Sequence, residues 1–277
     1  MPTAMSQRYP AGGAGMFACA GVFIAAAAFA QSAPPQTTTP WPPRWTVTAG
    51  VESFWWRDVA RTGPPVLASP ISWEGQGPIV WVAHDRGSRS RLHHFEGSWA
   101  SAGGFELRSP VATIAAPGGD GVSRLSGRYE YRRYPWRDVW TTGFDIGIGV
   151  EGSGEHLAFH RHFAPDILLE RSLNTSGVAL VVAGRWQRST RWSLHAVYGN
   201  GLSISRATLN YHGDQDTSRY GWGGGWQTNL ELRGDVRIAA RAVMTAAWFT
   251  SGEGRHGQHD SFTFGRNRFT VGVTYGR

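Results

Sequence analysis

The chain has 277 residues, a single cysteine and a formal net charge of +7, from 27 basic side chains against 20 acidic ones. One cysteine excludes an intramolecular disulfide framework. Every basic residue is an arginine, and a basic balance of this kind suits nucleic acid or an anionic surface.

The N-terminus reads as a secretory signal. A polar start, Met1 to Gly15 with Arg8 its only charge, precedes an apolar run from Met16 to Ala30. That run is short of the roughly 20 residues a spanning helix needs. It ends in Ala28-Phe29-Ala30, an A-x-A cleavage pattern that predicts a cut before Gln31. Cys19 would leave with the signal, so no thiol chemistry is expected afterwards. Residues 31–43 are rich in Pro and Thr and read as an extended leader, because proline donates nothing to a ladder. Export removes nucleic acid as a partner and leaves negatively charged outer-membrane lipid as the natural counterion.

Residues 44–277 read as one all-β domain. No segment after the signal is apolar enough for a transmembrane helix, and many alternate strictly between apolar and polar or small residues, which marks a strand with two unlike faces. Ten strands are predicted: 45–56, 77–84, 91–102, 122–134, 141–152, 177–187, 191–200, 219–232, 236–249 and 268–276. Several run about ten to fourteen residues, longer than the five or six of ordinary strands, and a tilted strand needs about 9–11 to cross a bilayer. Connections after the even-numbered strands are short and those after the odd-numbered ones long. This is the pattern of periplasmic turns and outer loops in a transmembrane antiparallel up-and-down β-barrel. Eight or twelve strands stay open as counts, and segment 202–212 either extends the strand before it or belongs to another.

Aromatic rings flank the polar turns, as in an interfacial girdle: Trp45, Trp136, Trp140, Trp186, Trp192, Trp222 and Trp248 are assigned to it. The opposite faces carry charge. Arg124, Arg128, Glu130, Arg132, Asp145, Glu151, Arg185, Glu231, Arg233, Arg237 and Arg241 are assigned to the lumen, since a charge facing lipid at the midplane costs about 2–4 kcal/mol. In a narrow barrel these residues either pair into a salt-bridged plug or line a path that favours small anions. Inward glycines (Gly143, Gly147, Gly149, Gly221, Gly223 and Gly225) would leave room.

The C-terminal segment Arg268-Phe269-Thr270-Val271-Gly272-Val273-Thr274-Tyr275-Gly276-Arg277 resembles the terminal assembly signal of Gram-negative outer-membrane β-barrel proteins. Thr270, Gly272, Val273 and Tyr275 match that pattern, while Arg277 stands where Phe or Trp is usual. The resemblance implies an outer-membrane location, contact with outer-membrane lipid, and recognition of the last strand by the barrel-assembly machinery.

Three functions follow from such a barrel. The first is a small porin-like passive pore or structural membrane barrel with an arginine-rich lumen, with no catalysis, cofactor or metal. The second is a rim enzyme. Barrels resembling outer-membrane proteases carry acidic and Asp–His pairs at the outer rim, and His212, Asp214 and Asp216 cluster in one predicted outer loop. Ser193 and His195 share an inward face and could activate a hydroxyl. The third is a binding barrel that uses its outer loops. His156, His160 and His162, with His256 and His259, fall in these loops, but their spacing fits no established zinc signature.

Overall fold

The computed structural model describes residues 44–60, 71–108, 113–115, 121–164, 167–187, 189, 191–212, 217–257 and 260–276. The predicted signal and leader, with Asp214, Asp216 and His259, lie outside them. Strands run in chain order as β1 (Arg44–Ala60), β2 (Ile71–Gly87), β3 (Arg91–Arg108), β4 (Thr113–Ala115), β5 (Gly121–Trp136), β6 (Phe144–Ala164), β7 (Ile167–Trp186), β8 (Trp192–His212), β9 (Thr217–Arg237), β10 (Ala242–Gly257) and β11 (Asp260–Gly276). Each pairs antiparallel with its sequence neighbour, except that the short β4 adds only to the outer end of β3, which itself pairs with β5. The ring closes between β1 and β11, from Arg44 opposite Gly276 to Ala60 opposite Asp260. The result is a closed ten-stranded barrel with no unpaired lateral edge in its wall.

Alternation along the strands becomes the two sides of the wall. On β5, Arg124, Arg128, Glu130 and Arg132 are buried inside while Leu125 and Tyr129 are exposed outside. Trp45 and Trp55 both point outward on β1 and are 56% and 43% exposed. They are ten residues apart. At about 3.3 Å per residue and a tilt near 40°, that spacing measures about 25 Å along the barrel axis, the height of an outer-membrane apolar band. Trp136 and Trp140 stand at the turn end, and Trp222 and Trp226 on the outer part of β9, all of them exposed.

Three expectations are corrected. First, the long outer loops are mostly strand. β6 and β7 pair without interruption from Phe144–Trp186 up to Leu157–Leu173 and beyond, and the segment 202–212 continues β8. On the outside of β6, Ile146, Ile148 and Val150 give way to Gly152, Gly154 and His156. The apolar signal therefore stops where the wall leaves the lipid, although backbone pairing continues into water.

Second, the turn between β9 and β10 is residues 238–241, closed by Ile238 N donating to Ala242 O at 3.0 Å. The Gly234-Asp235 pair suggested a turn earlier in the chain, yet both residues are in β9, opposite Leu194 and Ser193. As a result Arg237 and Arg241, assigned to the lumen, are exposed at the rim that carries the short turns.

Third, Trp186 is only 7% exposed and is not part of an open girdle. The turn before β6 folds over it, and it packs with Phe144, Val139 and Ile146. Trp192 is half-buried and meets it edge-on, with ring centroids 4.9 Å apart.

Candidate functional site

The barrel interior is a column of paired charges. At its centre is Arg128 on β5. Its Nη2 donates to Glu96 Oε2 on β3 at 2.7 Å and to Glu231 on β9. Its Nη1 lies 3.1 Å from Glu130 and 3.8 Å from Glu151. Arg132 Nε donates to Glu130 at 2.5 Å, and Asn229 donates to both oxygens of Glu151. Four carboxylates around one guanidinium would repel each other without it. Arg268 adds positive charge 3.9 Å from Glu96, and buried His94 stands between Asp85 and Glu96 at 2.5 and 3.3 Å.

Toward the short turns, Arg233 joins Asp235 at 3.0 Å and Asp85 at 3.2 Å. Thr245 donates to Asp235 at 2.8 Å. Arg185 donates to Asp145 at 2.5 Å, and Arg89 from the neighbouring turn grips the same carboxylate at 2.9 and 3.1 Å. Toward the outside, Arg124 holds Glu52, and Arg266 holds Glu155. Guanidinium planes also lie on rings: Arg268 is 4.5 Å from the Phe249 centroid and Arg185 is 4.4 Å from that of Tyr134.

The remaining lumen assignments are thus all buried in this column: Arg124, Arg128, Glu130, Arg132, Asp145, Glu151, Arg185, Glu231 and Arg233. Sequence reasoning missed Glu52, Asp85, His94, Glu96, Glu155, Arg266 and Arg268. Period-two counting from Arg124 would not reach them, because they sit on other strands; the same count on β1, β2, β3, β6 and β11 would. Nor do the inward glycines leave a passage. A methyl at Gly147 would stand 2.9 Å from the Tyr134 ring, and one at Gly223 would stand 2.1 Å from Arg255 Nε. At Gly147 and Gly223 the vacated space is filled by those side chains, and at Gly149 and Gly225 the neighbouring backbone closes in, 2.1 Å and 1.7 Å from where a methyl would stand. Voids within the column measure about 50 Å³ beside Arg128, about 10 Å³ beside the Glu52–Arg124 pair and about 10 Å³ beside Arg233. The first has room for about three or four water molecules.

Ser193 and His195 do meet, with Oγ 3.2 Å from Nε2. Asp235 approaches the same Nε2 at 3.6 Å. A charge-relay triad places serine and carboxylate on opposite ring nitrogens, so this geometry is a polar cluster at the lumen floor and not that triad. His156 and His160 lie on the outside of β6, four residues apart with Ala158 between them. Among the described residues, no three His, Asp or Glu side chains are arranged to hold a metal ion.

No protein-family profile and no curated protein sequence matches the chain. Solved structures do. The outer membrane protease OmpT of Escherichia coli superposes with a TM-score of 0.63 at 9% identity, covering 89% of this chain and 100% of that one. The translocator domain of the autotransporter NalP from Neisseria meningitidis gives 0.42 at 12% identity, over 96% and 97% of the two chains. At such identities the OmpT likeness speaks for the fold alone. Closed ten-stranded wall, apolar outer band between tryptophan levels and polar interior agree with it: the chain has the fold of an outer-membrane β-barrel.

Proposed function

We propose that this protein is a closed structural barrel of the outer membrane, acting through its wall and rims and not as a passive pore. Of the two states weighed for an arginine-rich lumen, a plug or an anion path, the plug is the one the geometry supports. The observation that carries this reading is Arg128, engaged by Glu96, Glu130, Glu151 and Glu231 at the middle of the lumen. Ion flow requires a continuous wet path. Here the guanidinium and its partners reach across the cross-section. Cross-lumen pairs also brace strands that do not touch in the wall, which stiffens a barrel of this size. No catalytic step is part of this reading.

The test is a planar bilayer recording on the folded barrel. A silent membrane, with folding verified by faster migration of the unheated protein on a denaturing gel, is the expected result. Discrete openings of the unmodified protein at neutral pH would overturn the proposal.

A further inference from the structure

We propose that the outer face of β2, β3 and β5, at the rim that carries the short turns, binds the headgroup of one anionic glycerophospholipid. Three exposed arginines meet there: Arg86, Arg91 and Arg133. Strand parity sets all three on the lipid side of the wall. Arg91 is in step with Phe95 and Trp99, Arg133 with Tyr129 and Leu125, and Arg86 with Val80 and Val82, all of which are exposed on the outside. Their chain neighbours Asp85, Leu92, Arg132 and Tyr134 are buried inside. Register brings the three together. Arg91 is directly opposite Arg133, and Arg86 is opposite His93, two residues from Arg91. Like charges directly opposite each other destabilise a strand pair. In the lumen Arg124, Arg128 and Arg233 each hold a carboxylate. Among the described residues, Arg86, Arg91 and Arg133 form no ion pair. An anion between them offsets their repulsion, and guanidinium forks match phosphate oxygens bidentately.

The cluster sits at headgroup level. Trp45, the tryptophan at the short-turn end of β1, shares one cross-strand row with His84, Phe95 and Tyr129. From this row Arg86 is two residues nearer the short turns, and Arg91 and Arg133 are four nearer. At about 3.3 Å per residue they stand about 7 Å and about 13 Å further along the strands, past the aromatic level that marks a membrane interface. Rings lie between the arginines and the apolar band. His93 Nδ1 is 2.9 Å from the Tyr129 hydroxyl, the His93 and Tyr131 ring centroids are 5.1 Å apart, and those of Phe95 and Tyr129 are 4.7 Å apart. A phosphate held by the guanidinium groups therefore keeps its acyl chains against Phe95 and Tyr129. A soluble anion would use the charges alone, whereas a phospholipid uses charges and rings together. Each basic side chain near a membrane surface adds favourably to an anionic lipid, and a zwitterionic headgroup, which carries its own cation, gains less. The inference rests on the wall spanning a membrane and not on a closed lumen, so conductance of the unmodified barrel would leave it standing.

The test uses the folded barrel in detergent, mixed with equal amounts of dioleoylphosphatidylglycerol and dioleoylphosphatidylcholine, with bound lipid read by native mass spectrometry. One retained phosphatidylglycerol per barrel is expected, preferred about tenfold. R86Q/R91Q/R133Q should bring the preference close to parity while unheated migration stays fast, since all three side chains are exposed. R191Q/R237Q/R241Q removes the same charge from three other exposed arginines near the short turns and should leave the preference within about twofold of the unmodified barrel. Equal retention of both lipids by the unmodified barrel overturns the proposal, as does a preference unmoved by R86Q/R91Q/R133Q. Equal loss of preference in the two triple variants also overturns it, because the rim would then act as diffuse charge and not as a site.

Discussion

Arg124 on β5 holds Glu52 on β1 through two parallel hydrogen bonds, Nε to Oε1 and Nη2 to Oε2, each 2.7 Å long. β2 and β3 separate these strands in the wall, so the pair is a chord across the lumen. Both side chains are buried. Glu52→Ala would leave the guanidinium without its bidentate partner, and breaking a buried pair of this kind costs about 3–5 kcal/mol. A combined Glu52→Leu and Arg124→Leu variant should recover most of that loss, because no orphaned charge remains. The urea midpoint for loss of the fast-migrating form measures both. Equal destabilisation by the single and double changes would contradict the account.

Arg128 should control the lumen in a different way. Removing it as Arg128→Ala leaves Glu96, Glu130, Glu151 and Glu231 facing one another with less positive charge between them. Their repulsion should widen the centre, and the acidic ring should favour cations. The variant is expected to conduct in planar bilayers with cation preference. Anion-selective openings in the variant would mean that other arginines, and not this carboxylate ring, line the path.

The position of the bilayer can be read with arginine as a probe. Leu180 points outward on β7 and is 74% exposed, between the two tryptophan levels. Leu180→Arg should destabilise the folded barrel in vesicles by about 2–4 kcal/mol. His156, on the outside of β6 above the last apolar position, should accept arginine with a change below about 0.5 kcal/mol. The contrast is measured by unfolding each variant from vesicles of the same lipid. Equal costs would place the membrane elsewhere on the wall.

Much of this architecture was open to reading from the sequence, and the gaps have physical causes. Thr142 to Gly152 and the ending at Tyr275 alternate because lipid and lumen demand opposite side chains there. Above the bilayer both faces meet water, so β6 past Gly152 loses its alternation while keeping its hydrogen bonds. Local composition misplaced the β9–β10 turn, because Gly234-Asp235 resembles turn chemistry and Ile238-Ala239-Ala240-Arg241 does not. Individual charges were legible as inward, but their partners were not. Arg128 and Glu231 are 103 positions apart, and only the curvature of the wall brings them together.

Gly223 offers a test of how tightly the outer lumen is filled. Its missing side chain admits Arg255, whose Nη2 donates to Gly221 O at 3.0 Å. Gly223→Val should displace that arginine and destabilise the outer half by about 1–3 kcal/mol. Gly252→Ala, where the new methyl would lie 3.6 Å from Thr228 Oγ1, should be tolerated. Amide hydrogen exchange along β9 and β10 distinguishes the two.

Thr46 and Thr274 share a hydrogen bond of 2.8 Å although 228 positions separate them. The first strand thus waits for the last one before either has a partner on its free side. Closing so long a loop is slow and loses chain entropy before any contact compensates. Until that moment every intermediate carries two open strand edges that could pair with another molecule. The polypeptide must therefore be kept apart from its own copies until β11 arrives and closes the ring.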